Sequence, residues 1–228
     1  MSLRVFIGYD EHETVAYHVL AHSILKRSSI PVSIWPLRKE LLKGFFNRPR
    51  GEKDSTDFAI TRFLVPYLSG FKGYSLFLDA DMLVQADIAE MQTLAADMPH
   101  RYALKVVKHD YTPSTKTKFL DQVQTVYQKK NWSSVMLFNN EMCPTLTPEY
   151  VEKAHGLDLH QFKWTSEALI GELPKEWNWL VGEYGKPEKQ IKNYHYTVGT
   201  PCFPDYASSD YSDLWYAEFA DMCKPCQI

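Results

Sequence analysis

Tyr74-Ser75-Leu76-Phe77-Leu78-Asp79-Ala80-Asp81-Met82-Leu83-Val84 decides how the chain is read. An apolar strand runs into two carboxylates and then turns apolar again, with Gly70, Lys72 and Gly73 marking its start. In an extended chain, residues two apart point to the same side, so Asp79 and Asp81 are expected to project together. Two like charges this close repel unless a positive charge lies between them. Carboxylate oxygens suit magnesium, calcium or manganese. The plainer alternative is a pair of surface aspartates closing a strand. Met82-Leu83-Val84 argues against it, because a chain that stays apolar carries the carboxylates inside the fold.

Working outward, Arg4-Val5-Phe6-Ile7-Gly8-Tyr9-Asp10 reads as a buried first strand ending in a turn. Val15, Val19, Ala21, Ile24 and Leu25 then recur at helical spacing, with Lys26-Arg27 closing the helix where its dipole favours cations. Val32–Trp35 is a second strand. Strand, helix, strand is the opening of a parallel sheet with right-handed crossovers, and such sheets bind ligands beyond the carboxyl ends of their strands. The basic, glycine- and proline-broken stretch Leu41–Lys53 reads as a loop with a short helical turn. A helix is expected from Asp54-Ser55-Thr56 to about Leu68. Arg62 within it is either a surface arginine or one aimed at phosphates.

Further helices are expected over Asp87–Ala96, Phe119–Tyr127, Pro148–His155, Phe162–Gly171 and about 210–222. Further strands are expected over Tyr102–Val107, Asn131–Asn140 and Ile191–Tyr196. Lys108-His109-Asp110-Tyr111 follows a strand and reads as pocket lining or as a solvated loop. The fold class is α/β: a Rossmann-like mixed, mainly parallel sheet flanked by helices, with residues 1–228 as one domain.

The 228 residues are 45% hydrophobic and 23% charged, an ordinary globular composition. A net charge of −3 without a Lys/Arg run speaks against a nucleic-acid partner. No apolar run reaches membrane-spanning length and no signal-peptide core opens the chain, so a cytoplasmic location without a transmembrane segment is expected. Cys223-Lys-Pro-Cys226 has redox or zinc spacing but lacks a second Cys/His pair, and reads as a terminal pair of thiols.

The order of these features resembles family 8 of the glycosyltransferases, which has the GT-A fold, and small stand-alone bacterial and viral members above all. The resemblance rests on Gly8-Tyr9-Asp10, Arg62, Leu78-Asp79-Ala80-Asp81, Val135-Met136-Leu137, the Leu173-Pro174…Trp177-Asn178 pair and His195-Tyr196-Thr197-x-Gly199, over residues 4 to 203. It implies a glycosyltransferase that moves a sugar from a UDP-sugar donor to a hydroxyl acceptor with retention. The implied metal is divalent, Mn2+ or else Mg2+, held by Asp79, Asp81 and His195. Gly8, Tyr9, Asp10, Arg62, Asp79, Ala80 and Asp81 match the nucleotide-binding positions. The implied acceptor is a glycan of a lipopolysaccharide, capsule or glycoprotein.

The sequence departs from the family at three places. The sugar-binding Asn-x-Gly is replaced by Trp132-Ser133-Ser134, which makes Ser133 and Ser134, with His109 and Asp110, the candidate sugar and acceptor pocket. The Asp-Gln pair falls near Thr165-Ser166-Glu167, so Glu167 and Ser166 join Arg62 as catalytic candidates. The late Lys-Pro-Trp is missing, leaving Lys192 as a candidate phosphate contact. Two other readings stand beside this one: a non-catalytic nucleotide-sugar or glycan-binding module of the same fold, and a sugar-nucleotidyltransferase. The latter class needs a Gly-rich basic loop after the first strand, where Tyr9-Asp10-Glu11-His12-Glu13 stands.

Overall fold

The apolar strand that runs into the aspartate pair and the apolar run that follows the pair become two strands in two different sheets. The computed structural model describes residues 2–51, 54–113 and 127–225, together with the backbone of 117–118 and 122–123. Strand β1 (Leu3–Tyr9) leads through a 3-10 turn into helix α1 (Thr14–Arg27), and β2 (Val32–Arg38) returns parallel to β1. A 3-10 turn at Thr61–Leu64 and the short α2 (Val65–Leu68) precede β3 (Tyr74–Leu78). Gly70 and Gly73, both at φ 63°, make the left-handed turns that start β3. Then come β4 (Met82–Val84), α3 (Glu90–Ala95) and β5 (Leu104–Val106). A small antiparallel ribbon pairs β6 (Thr117–Lys118) with β7 (Gln122–Val123), and the helix expected around Phe119–Tyr127 otherwise lies outside the described residues.

The second half continues with β8 (Val135–Asn139), α4 (Pro148–Lys153), α5 (Gly156–His160) and β9 (Ile170–Glu172). It closes with β10 (Trp179–Leu180), β11 (Asn193–His195) and α6 (Ser212–Met222). The main sheet has the order β2-β1-β3-β8-β5-β9. Only β8 runs against its neighbours, so the sheet is mixed and mainly parallel, as the sequence suggests. Its inner strands β3, β5 and β8 are buried on both faces, as a largely parallel sheet requires, while the edge strand β2 is partly exposed.

The expected helix over Phe162–Gly171 is not formed. Phe162 enters a left-handed turn at φ 58°, Glu167–Leu169 makes one 3-10 turn, and Ile170–Glu172 pairs with β5. The open edge of β5 offers hydrogen bonds over a long sequence separation, and these outweigh local helical preference. The expected helix of residues 54–68 is likewise reduced to the Thr61–Leu64 turn and α2.

A second, smaller sheet of order β10-β11-β4 sits beside the main one. It packs its own apolar cluster, which includes Leu83, Trp179, Tyr194 and Tyr196, against Val19 of α1 and Trp215 of α6. Helix α6 is clasped to α1 by charge. The Glu218 carboxylate, 2% exposed, meets His22 Nδ1 at 2.6 Å, Arg27 at 2.7 Å and Lys26 at 3.8 Å. Burial pushes this carboxyl up, but the bonds from Arg27 and His22 and the Lys26 charge outweigh it and leave the pKa lowered. A depressed carboxylate stabilises the fold above its unfolded pKa and loses that contribution as pH falls through its folded one. Glu218→Gln is therefore expected to cost about 1.5–3 kcal/mol at pH 7. The cost should shrink as pH drops below about 4.3. Urea unfolding of both proteins across the acid range checks this, and a pH-independent difference would contradict it.

Candidate functional site

The carboxyl ends of β1, β3, β5 and β9 and the start of β8 share one edge of the main sheet, since Ile7 pairs with Leu78, Leu78 with Val135, and Val106 with both Met136 and Glu172. Asp79 and Asp81 lie on this edge, in the bend where the chain leaves the main sheet for the small one. The Asp79 N–H donates to the Ser134 carbonyl at 3.0 Å, and the Asp81 carbonyl accepts from Tyr196 N–H at 2.9 Å. Strand β11 runs antiparallel to β4 and sets His195 opposite Met82, one residue past Asp81. The ligand atoms of Asp79, Asp81 and His195 therefore all lie within 4.8 Å of one another. A hard carboxylate pair with one imidazole is a donor set suited to a divalent cation such as Mn2+.

His195 Nε2 faces Asp81 Oδ1 at 3.3 Å, and its Nδ1 lies 2.9 Å from Asn178 Oδ1. Asp79 also meets a cation of the protein itself: Arg62 Nη1 is 2.8 Å from Asp79 Oδ1. Arg62 is 6% exposed, donates to the Ser133 and Phe58 carbonyls, and lies 5.4 Å and 4.9 Å from the centres of the Phe58 and Phe77 rings. It is thus neither a surface arginine nor a free one. The Tyr127 phenol, its pKa raised by burial, feels both Arg62 and Asp79, and sequence reading had placed it only in a helix.

At the end of β1, Gly8 lies so close to Phe58 that a β-carbon would come within 2.3 Å of its ring. Tyr9 packs edge-on against Tyr17 at 5.3 Å, with the Arg38 guanidinium 5.6 Å from its ring centre. Asp10 is 3% exposed and turned toward the protein's own donors: His12 N–H at 3.0 Å, His12 Nδ1 at 2.8 Å and Asp57 N–H at 3.0 Å. Burial raises its pKa, but those bonds and the Arg50 charge outweigh it and leave the carboxyl lowered. Ala80 is fully buried.

The pocket candidates separate. His109 is buried at the end of β5 and belongs to a network behind His195, bonded to Asn178 and Tyr184. Burial first, then the nearby His195 and Lys175, push its pKa down to about 3, so its ring is neutral. Asp110 beside it is exposed. Ser134 Oγ donates to the Asn131 carbonyl and accepts from Asn178, while Ser133 Oγ bonds His160 Nδ1. Ser166 and Glu167 stand apart, exposed, with the Glu167 carboxylate paired to Lys129. Lys192 is held by Glu90 and lies 5.7 Å from the Trp177 ring centre. Among the cysteines, Cys143, Cys202 and Cys223 are free thiols, and Cys226 lies outside the described residues. The hub that sequence reading left without a role is Asn178. Its signal was the Trp177-Asn178 dipeptide.

No protein-family profile matches the chain. Over 229 aligned residues it is 44% identical to Protein CDI of Arabidopsis thaliana, covering 97% of this chain and 87% of that protein. Among solved structures it is similar to the apo form of the bifunctional glycosyltransferase WbbM, with TM-score 0.65 and 15% identity. The match takes in 96% of this chain and half of WbbM. It is also similar to the galactosyltransferase LgtC in complex with donor and acceptor sugar analogs, with TM-score 0.61 and 12% identity, over 99% of this chain and 98% of LgtC. These likenesses show the fold: the chain has the GT-A architecture of the glycosyltransferases.

Proposed function

The chain belongs to the family of Arabidopsis thaliana Protein CDI, and from its fold and site we propose that it is a metal-dependent glycosyltransferase using a UDP-sugar donor. The observation that carries the proposal is the convergence of Asp79, Asp81 and His195 at the carboxyl edge of a GT-A sheet. These residues fit a divalent metal. The Asn178 carbonyl oxygen can only accept, so a neutral His195 carries its proton on Nδ1 and turns a bare Nε2 toward Asp81. That contact is satisfied by a second ring proton or by a cation in its place. Bound there, Mn2+ or Mg2+ would supply positive charge to the donor's diphosphate.

Arg62 adds a second fixed cation beside Asp79. In the proposed mechanism it stabilises charge growing on the departing UDP, and because it is buried and already oriented it need not reorganise as that charge develops. Gly8, Tyr9 and Asp10 form the wall proposed for the nucleoside. The acceptor hydroxyl attacks the anomeric carbon on the face that UDP leaves. The new carbon–oxygen bond forms as the bond to phosphate breaks, the hydroxyl proton passes to the leaving phosphate oxygen, and configuration is retained. The exposure of Glu167 and its pairing with Lys129 favour this route over attack by an enzyme carboxylate. Ser133, Ser134 and Asp110 are proposed for the sugar and acceptor side.

No helix among the described residues is long and apolar enough to cross a membrane. A cytoplasmic location and a single catalytic domain over residues 1–228 are parts of the same proposal. Calorimetry of UDP binding with and without Mn2+, followed by a UDP-sugar panel scored for hydrolysis and transfer, tests it. UDP binding that strengthens with Mn2+ and release of free sugar from one donor are expected. Binding without turnover of any donor would favour a nucleotide-sugar-binding module instead, and no UDP binding would overturn the reading.

A further inference from the structure

Asn178 is surrounded by groups that leave its amide a single orientation. Its Nδ2 lies 3.2 Å from the Asn131 main-chain carbonyl, which can only accept, so nitrogen and not oxygen must face that side. The same Nδ2 is 2.8 Å from Ser134 Oγ and 2.8 Å from His109 Nε2. Ser134 spends its own hydroxyl proton on the Asn131 carbonyl at 2.6 Å, so it too offers a lone pair to Asn178. His109 Nε2 must likewise accept, which leaves the His109 proton on Nδ1, directed at the Tyr184 hydroxyl. Every group on this side of Asn178 is therefore an acceptor, the two Nδ2 protons are shared among the three, and Oδ1 is left facing His195 Nδ1 at 2.9 Å.

We infer that Asn178, locked by Asn131, Ser134 and His109, is a positioning residue that fixes the tautomer and ring orientation of His195 so that Nε2 is presented to a metal held with Asp79 and Asp81. The inference rests on the proposed metal site and adds to it where the tautomer is set. The locking groups come from two separate stretches of the chain, the end of β5 and the approach to β8, and meet Asn178 in the turn before β10. Asn178 is fully inaccessible, His109, Ser134 and His195 are 7%, 1% and 1% exposed, and Asn131 is half-buried. A buried amide with one allowed orientation holds the imidazole in place before the metal arrives. Outer partners of metal-bound histidines elsewhere contribute about 10–100-fold to metal affinity.

The test has two readouts, neither of them activity. The first is long-range proton–nitrogen NMR of the metal-free wild type with neutral His195. It is expected to show a protonated Nδ1 and a pyridine-like Nε2, and a protonated Nε2 would overturn the inference without any variant. The second is Mn2+ and Co2+ affinity of wild type, Asn178→Ala, Asn178→Asp and Asp81→Asn. Asn178→Ala is expected to lose about 10–100-fold in affinity and to change the Co2+ absorption spectrum. Asn178→Asp keeps an acceptor for His195 Nδ1 and should recover part of that loss. Metal binding that needs Asp81 but is unchanged in Asn178→Ala overturns this inference alone. A wild type that takes up no metal removes the proposed metal site and this inference with it.

Discussion

Asp81→Asn is expected to abolish Mn2+-dependent UDP binding and to lower sugar transfer by at least about 10³-fold, beyond the loss of a single oxyanion donor elsewhere. The substitution preserves shape and removes one charge from a site where Asp81 is 8% exposed and 3.3 Å from His195 Nε2. Asp81 serves this test better than Asp79, because Asp79 also pairs with Arg62 and its loss would disturb two things at once. Calorimetry of UDP with and without Mn2+ and single-donor turnover read the effect. A variant that still binds UDP more tightly with Mn2+, or that turns over within tenfold of wild type, would remove Asp81 from the metal site. Circular dichroism should show the fold unchanged.

Arg62→Ala is expected to cost about 3–5 kcal/mol of stability, because it leaves the Asp79 carboxylate without its buried partner. Asp79 is 14% exposed at its side chain and Arg62 7%. Also lost are the bonds to the Ser133 and Phe58 carbonyls and the packing of the guanidinium against Phe58 and Phe77. Arg62→Lys should recover little, since an ammonium cannot span two carbonyls and a carboxylate in one plane. Mn2+ should stabilise Arg62→Ala more than wild type, because a metal on Asp79 replaces the missing positive charge. Urea unfolding with and without Mn2+ measures both effects. A loss under about 1 kcal/mol would mean that the pair contributes no more than a surface salt bridge. An equal Mn2+ shift in both proteins would place the metal away from Asp79.

Much of this molecule was legible in its sequence because the signals were local. Alternating and apolar runs marked β1, β3 and β8, helical spacing marked α1 and α6, and the Asp-x-Asp bend announced itself by an apolar run on either side. Those patterns follow from side-chain period and burial, which a chain carries in its order of residues. They were enough for the opening of a parallel sheet and for the aspartate pair, whereas His195 joined Asp79 and Asp81 only through the resemblance to family 8 glycosyltransferases.

The tertiary structure alone decided what depends on distant partners. Sheet pairing with β5 turned the expected helix at 162–171 into a turn and an edge strand. The bend at the aspartate pair sent the apolar runs on its two sides to different sheets, and β11 then brought His195 to Asp81 across more than a hundred residues. Arg62 found Asp79, Asp10 was satisfied by the protein's own donors, and His109 moved from expected pocket lining to a place behind Asn178. A hydrogen bond has direction and needs its partner at about 2.9 Å, so the role of a polar side chain is set by what folding places against it. Apolar periodicity is written along the chain, whereas the partners of Asn178 exist only once four separate segments have met.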